Sequence, residues 1–246
     1  MTNKEFVNKL LNIVNNYKTI YAYGTWGQVL NNTIITNKTK QYSWWYTAAK
    51  QKELKNLVGK GYFVFDCVGL IKGVLWGWNG SNTTNGGAKY ASNGVPDTSA
   101  NGMINLCKDI STNFSNIQMG EAVWLDGHIG IYWENGQVIE CSPAFKNKVQ
   151  ITQLSQRKWL KHGKLPFITY EKNDSFLPAR GYFKKGDSGE KIAKIDDFFA
   201  NKVKGNYFGD YTTAIVKEFQ RQNKLEQDGN IGPITLAKMK EQGFKE

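Results

Sequence analysis

Histidine, cysteine and arginine are all scarce in this chain of 246 residues. The three cysteines, Cys67, Cys107 and Cys141, are too few and too irregularly spaced for a disulfide framework or a structural zinc site. An odd number leaves at least one thiol unpaired in the monomer. Only three of the 32 basic residues are arginine. Arginine dominates direct base readout, so sequence-specific DNA recognition is disfavoured, though non-specific binding is not. Carboxylates are in the minority, 21 Asp and Glu against 32 Lys and Arg, giving a net charge of +11. That sign suits an anionic partner: nucleic acid, a membrane surface or a teichoic-acid-bearing cell wall. No apolar run is long enough to span a bilayer, so stable membrane insertion is not expected. Residues 1–20 do not read as a secretory leader, because Lys4, Lys9 and Lys18 are scattered through an amphipathic pattern. The expected history is synthesis in a cytoplasm, or exit by a route the sequence does not encode.

What is present argues for a folded chain. Hydrophobic residues make up 40% and there are eight tryptophans, enough for one large domain or two smaller ones. Thr2 and Glu5 form a T-x-x-E capping box. Phe6, Val7, Leu10, Leu11, Val14 and Tyr17 follow at helical spacing. Residues 21–27 read as a turn rich in glycine and aromatics. Residues 47–57 read as a helix with Ala48, Ala49, Leu54 and Leu57 inward, and 67–78 as a buried helix. Residues 79–102 are rich in Gly, Asn, Ser and Thr, and a loop of that length is expected to wall a cleft.

From Glu121 the apolar period changes to two. Asp126-Gly127 and Asn135-Gly136 separate three alternating runs, which predicts an antiparallel meander. Strands are also expected at 149–154 and 165–170. A polar linker, Glu171 to Ser175, leads to three short helical patterns, marked by Ile192, Ile195, Phe198 and Phe199, then Ala214, Ile215, Val216 and Phe219, then Ile234, Leu236, Ala237 and Met239. Gly209-Asp210-Tyr211-Thr212 and Gly232-Pro233-Ile234-Thr235 echo one another, each opening a helix. The predicted class is α+β, with helices on an antiparallel sheet followed by a small all-α three-helix domain.

Two short segments carry chemistry. In Phe65-Asp66-Cys67-Val68-Gly69-Leu70, Cys67 stands at a helix start, where free N–H groups and the dipole favour a thiolate. In Gly127-His128-Ile129-Gly130-Ile131-Tyr132, His128 heads a strand. Glu140 lies across the Asn-Gly hairpin. With a turn over 134–137, Trp133 is expected near Val138 and Ile131 opposite Glu140, close enough for the carboxylate to orient His128. The only other histidine, His162, sits in a Lys-rich stretch and reads as a solvated surface residue. A thiol, an imidazole and an orienting group are the minimum parts of a cysteine hydrolase.

Taken together, these segments resemble the NlpC-type family of papain-like peptidoglycan cysteine peptidases. Tyr21-Ala22-Tyr23-Gly24 is similar to its Tyr-x-x-Gly element, 65–70 to its nucleophile motif, Gly120-Glu121-Ala122-Val123 to its strand opening, and 127–132 to its histidine motif. The resemblance covers about residues 1–170. It implies Cys67 as nucleophile, His128 as base and Glu140 as the third residue. It also implies Tyr21, Asp66 and Trp26 at the substrate, with no metal and no cofactor. The serine usual after the cysteine is Val68 here, and Gly80–Ser115 exceeds the minimal pattern.

The C-terminal part resembles the three-helix peptidoglycan-binding module of wall hydrolases, on Lys185-Gly186-Asp187-Ser188-Gly189, Phe208-Gly209-Asp210-Tyr211-Thr212 and Asp228-Gly229-Asn230-Ile231-Gly232-Pro233. The implied organisation is a catalytic domain over 1–172 and a binding domain over 178–246. The implied function is endolysin-like cleavage of the stem peptide of bacterial cell-wall peptidoglycan, between D-glutamate and a diamino acid. The rivals are a CHAP-type amidase cutting between muramic acid and L-alanine, a non-catalytic wall-binding protein and a basic nucleic-acid-binding protein. Intact Cys67 and His128 disfavour the second of these, and nucleic acid is not the expected partner.

Overall fold

The computed structural model describes residues 1–171, 176–178, 180–200 and 205–246. The chain divides into two compact units, Met1–Lys172 and Asn173–Glu246. Most of the stretch read as a linker, 172–175, lies outside the described residues.

The first unit opens with helix α1, Asn3–Asn16. Thr2 accepts the Glu5 N–H and the Glu5 side chain accepts the Thr2 N–H, so both halves of the capping box form. Phe6, Val7, Leu10 and Ile13 are its buried face. Ile13 takes the place expected for Leu11 and Val14, which pack at the margin of the core.

Residues 21–27 are not a single turn. Strand β1 (Lys18–Tyr21) ends at Tyr21 and strand β2 (Trp26–Val29) begins at Trp26, which confines the turn to the residues between. Both strands flank β3 (Tyr62–Phe65), β1 parallel and β2 antiparallel, in a three-stranded sheet. The apolar stretch 62–65 gave no clear alternation because three of its four residues are buried.

Helices α2 (Asn32–Gln41) and α3 (Ala48–Lys55) fill the interval. The sequence pattern did not reveal α2, whose one buried residue is Ile35. Ala48 and Ala49 of α3 are exposed, and only Leu54 is buried. Local bonds define this helix, the Thr47 cap and a Lys50–Glu53 pair at 2.6 Å.

Helix α4 (Cys67–Leu75) is buried along its whole length. The long polar segment after it is strapped down. Trp78 Nε1 donates to Gly27 O at 2.8 Å and Trp76 Nε1 to Val95 O at 2.9 Å. Lys72 pairs with Asp97. Helix α5 (Ala100–Leu106) and strand β4 (Lys108–Ser111) follow.

The meander is β5 (Ala122–Leu125), β6 (His128–Tyr132), β7 (Gln137–Ser142) and β8 (Lys148–Gln153). Strand β9 (Lys161–Lys164) completes a six-stranded antiparallel sheet in the order β4-β9-β5-β6-β7-β8. The last strand is therefore 161–164 and not 165–170. Leu165 and Ile168 leave the sheet and enter the core. Helix α4 packs on β6 and β7, which brings the Cys67 and His128 segments together.

The second unit holds α6 (Glu190–Ala200), α7 (Asp210–Gln222) and α8 (Pro233–Glu241). Its core gathers Ile192, Ile195, Phe208, Val216, Phe219, Ile231, Leu236 and Met239. Ala214, Ala237 and Ile234 face solvent instead, Ile234 at 73% exposure. The echo is structural: Gly209 and Gly232 are the caps of α7 and α8, and Thr212 and Thr235 are both buried. Pro233 occupies the first turn of α8, where its missing N–H costs nothing. Among the described residues no helix is long and apolar enough to cross a membrane.

Candidate active site

Asp66 precedes α4 in extended conformation and caps it. Its Oδ1 accepts the Gly69 N–H at 2.5 Å and its Oδ2 accepts the Gly24 N–H at 2.8 Å. The carboxylate thereby ties the helix start to the β1–β2 turn. Burial pushes this carboxyl up, opposed by the charge of Lys72 and by those two amides. Gly69 explains the spacing of the nucleophile motif. A Cβ there would lie 1.8 Å from Thr25 O, and one at Gly73 2.3 Å from Trp26 O. Two glycines four apart put one helix face against a backbone.

Cys67 is the first residue of α4 and is 7% exposed. Its Sγ lies 4.0 Å from Gly127 O, beside the head of β6. Burial pushes the thiol up to about 12 and the Asp66 charge adds to this, while the N–H groups of Ile129, Val68 and Cys67 pull it down. The helix-start argument for a thiolate is thus outweighed by desolvation, and the resting group is a thiol. The three amides remain a potential cradle for developing negative charge.

The β6–β7 pairing differs by one residue from the register expected. Trp133 N–H donates to Gln137 O, and the partners are Tyr132 with Val138 and Ile131 with Ile139. A one-residue shift exchanges the faces of a strand. Here it puts Glu140 opposite Gly130, on the face that His128 shares. A Cβ added at Gly130 would lie 3.3 Å from Glu140 Cβ. His128 Nε2 and Glu140 Oε2 are 2.5 Å apart. A carboxylate accepts only, so Nε2 carries a proton and Nδ1 is the nitrogen Glu140 leaves untouched.

Glu140 is fully buried and has further partners that sequence reasoning missed. Thr152 Oγ1 donates to Oε1 at 2.6 Å. Arg157 Nε donates to Oε1 at 3.0 Å, and its Nη2 lies 2.9 Å from Oε2. Arg157 Nη2 also donates to Ser142 Oγ at 2.7 Å. Burial alone would raise the Glu140 carboxyl; the bonds from His128, Arg157 and Thr152 outweigh it and hold the group below the usual range. Trp159 stacks on the His128 ring at 5.7 Å and 20°. Arginine's scarcity was the available signal, since one of only three sits here.

The other expected positions divide. Tyr21 is buried, 5.7 Å ring to ring from Trp45. Burial raises its hydroxyl far above the ordinary value. Trp26 instead packs at 5.2 Å on Trp76 and 5.9 Å from Tyr90, toward the far end of α4 from Cys67. His162 is not a surface residue. It is 4% exposed, with Nδ1 bonded to Glu121 and Nε2 at 3.0 Å from Asn113 O. Strand β9 lies between β4 and β5, and His162 is covered there by its strand neighbours while Lys161 projects from the opposite face. Cys107 and Cys141 are buried free thiols. No group of three or more His, Cys, Asp and Glu among the described residues could hold a metal ion.

Residues 188–239 match the family model described as "Putative peptidoglycan binding domain". The match coincides with the three helices of the second unit and supports a function connected with peptidoglycan. No curated protein sequence matches the chain. Among solved structures, NlpC2 from Trichomonas vaginalis aligns at 13% identity with a TM-score of 0.39, over 66% of this chain and 46% of that one. The chain thus spans less than half the length of that structure. A periplasmic domain of the EpsAB fusion protein of the Vibrio vulnificus type II secretion system aligns at 18% identity and a TM-score of 0.24, over 68% of this chain and 72% of that one.

Proposed function

We propose that this protein is an endolysin-like peptidoglycan hydrolase that cleaves an amide of the stem peptide, between D-glutamate and the diamino acid. Cys67 is the nucleophile, His128 the general base and Glu140 the residue that orients His128. The observation that carries this reading is the chain of groups at the α4 start: Cys67 Sγ 4.0 Å from Gly127 O, and His128 Nε2 bonded at 2.5 Å to buried Glu140. With Nε2 held by Glu140, Nδ1 is the nitrogen left to take the thiol proton. A thiol pushed up to about 12 does not ionise beforehand, so proton transfer accompanies attack. The tetrahedral oxyanion falls to the amides around Cys67, and His128 returns the proton to the leaving amine. Water then hydrolyses the thioester. The domain limits proposed are 1–172 for catalysis and 178–246 for attachment to the wall, where the enzyme acts.

A second reading, cleavage between muramic acid and L-alanine, is favoured by one feature. Both Asp66 oxygens already accept backbone N–H groups, which weakens Asp66 as the partner of a free substrate amine. Mass spectrometry of digested muropeptides separates the two bonds. Cys67→Ala should fold and bind walls but release no new amino groups from peptidoglycan; near-normal turnover would sink the assignment. His128→Ala should lose about 10²–10⁴-fold, more than Glu140→Ala, with Glu140→Gln mildest. Wild-type turnover by Glu140→Ala would place the orienting group elsewhere.

A further inference from the structure

Exposed aromatic rings flank the β1–β2 turn, which Asp66 ties to the start of α4. Trp44 is 66% exposed and Tyr90 54%. The Trp44 ring stands 4.9 Å from Tyr23, and Tyr23 stands 5.0 Å from Tyr42. Tyr23 directly precedes Gly24, whose N–H is held by Asp66. The row therefore starts one hydrogen bond from the residue before Cys67. The hydroxyl of buried Tyr46 donates to Tyr23 O at 2.8 Å and fixes the row from beneath.

A second row starts from Trp26, on the other side of that turn. Tyr90 donates its hydroxyl to Asp97 at 2.6 Å and stands 5.9 Å from Trp26. Lys38 stands 5.5 Å over the Tyr42 ring, and the two rows join through Tyr23 and Trp26, which bracket the turn three residues apart.

The chemistry of the rows selects their occupant. They contain tryptophan and tyrosine and no exposed Leu, Ile, Met or Phe. Lipid contact or a protein core would favour aliphatic area. Flat rings edged by hydroxyls, an ammonium and a carboxylate suit a ligand with C–H faces and equatorial hydroxyls, because the negative face of an aromatic ring attracts the polarised C–H groups of a sugar. We propose that Trp44, Tyr23, Tyr42, Tyr90 and Trp26 form a saccharide subsite that holds the glycan strand while its stem peptide reaches Cys67. The inference rests on the reading of Cys67 as a hydrolase nucleophile.

The test uses the full chain. The value of kcat/KM is compared for a disaccharide-tetrapeptide and for the same tetrapeptide without sugar. The parent should prefer the sugar-bearing substrate. Trp44→Ala and Tyr90→Ala should each lose about 2–10-fold of that preference, mainly in KM, as expected for one stacked ring. Trp44→Tyr should keep most of it. No preference in the parent, or an unchanged one in both alanine variants, would overturn the subsite while leaving the hydrolase intact. In parallel, calorimetry measures chitotetraose binding to Cys67→Ala, with and without Trp44→Ala. If the parent turns over neither substrate, the hydrolase reading fails and calorimetry alone decides. Weaker binding on loss of Trp44 upholds the subsite; equal binding overturns it.

Discussion

Replacing Arg157 by methionine removes the counter-charge of a carboxylate that has no contact with water. Glu140 keeps His128 and Thr152 but loses a hydrogen bond at 3.0 Å and an ion-pair contact at 2.9 Å. Ser142 loses its donor as well. At 2.9 Å and an effective dielectric of 20 the gross attraction is about 6 kcal/mol. Desolvation of the guanidinium offsets part of this, and unpairing a buried charge costs about 3–5 kcal/mol. The readout is urea unfolding followed by tryptophan fluorescence. All eight tryptophans, from Trp26 to Trp159, lie in the first unit, so the signal reports that unit alone. A second readout separates structure from catalysis. With Arg157 gone, Glu140 loses a donor that fixes its Oε1, so His128 is oriented less firmly and kcat should fall. Arg157→Lys should fall between parent and Arg157→Met. The pH dependence of stability has a defined sign. The folded-state carboxyl of Glu140 is held below its usual 4.5, so its contribution is complete above that value and is lost as the pH falls further. Arg157→Met should flatten this acid loss. A stability change under about 1 kcal/mol together with an unchanged kcat would refute the argument, since about 3 kcal/mol is the least that unpairing should cost.

Three further outcomes are expected. Gly69→Ala should destabilise the first unit by about 3 kcal/mol or more, read by the same fluorescence, because the new Cβ meets backbone at 1.8 Å and no side chain can move aside. Alkylation of Cys67 by iodoacetamide, followed by peptide mass spectrometry, should accelerate about tenfold per pH unit from 7 to 10, as a thiol near 12 requires; a plateau from neutral pH would show a preformed thiolate. A chain ending at Lys172 should cleave soluble stem peptides at close to the full rate but act more slowly on intact walls, and residues 176–246 should co-sediment with purified peptidoglycan; a folded fragment that stays in solution would remove the wall-binding role.

Local signals carried the reading furthest where they are self-contained. Thr2 and Glu5 cap α1, and the Asp-Gly and Asn-Gly turns open the hairpins of the meander. The α4 segment was legible as buried because all nine of its residues are. What escaped depends on neighbours distant in sequence. His162 looks solvated among lysines, and only its strand partners turn it inward. Helix α2 has one buried residue and so no apolar stripe to detect. The role of Gly69 is set by Thr25 O, a backbone atom 44 positions away in the chain. Arg157 reaches Glu140 across a separation of 17 residues, and no local pattern marks that meeting.

The hairpin between β6 and β7 has a consequence for how the protein tolerates change in length. Its tip, Asn135 and Gly136, holds both residues at positive φ, and a Cβ at Gly136 would meet only a glutamine side chain at 3.9 Å. Such a tip is where evolution and engineering usually add residues without harm. Here the tip works as a ruler. One inserted residue that moved the pairing by a single step would carry Glu140 to the opposite face of its strand, away from His128, and bring Ile139 round in its place. The sheet could still form, yet the imidazole would lose its partner. Deletions and insertions at 134–136 should therefore be scored by their parity as well as their size.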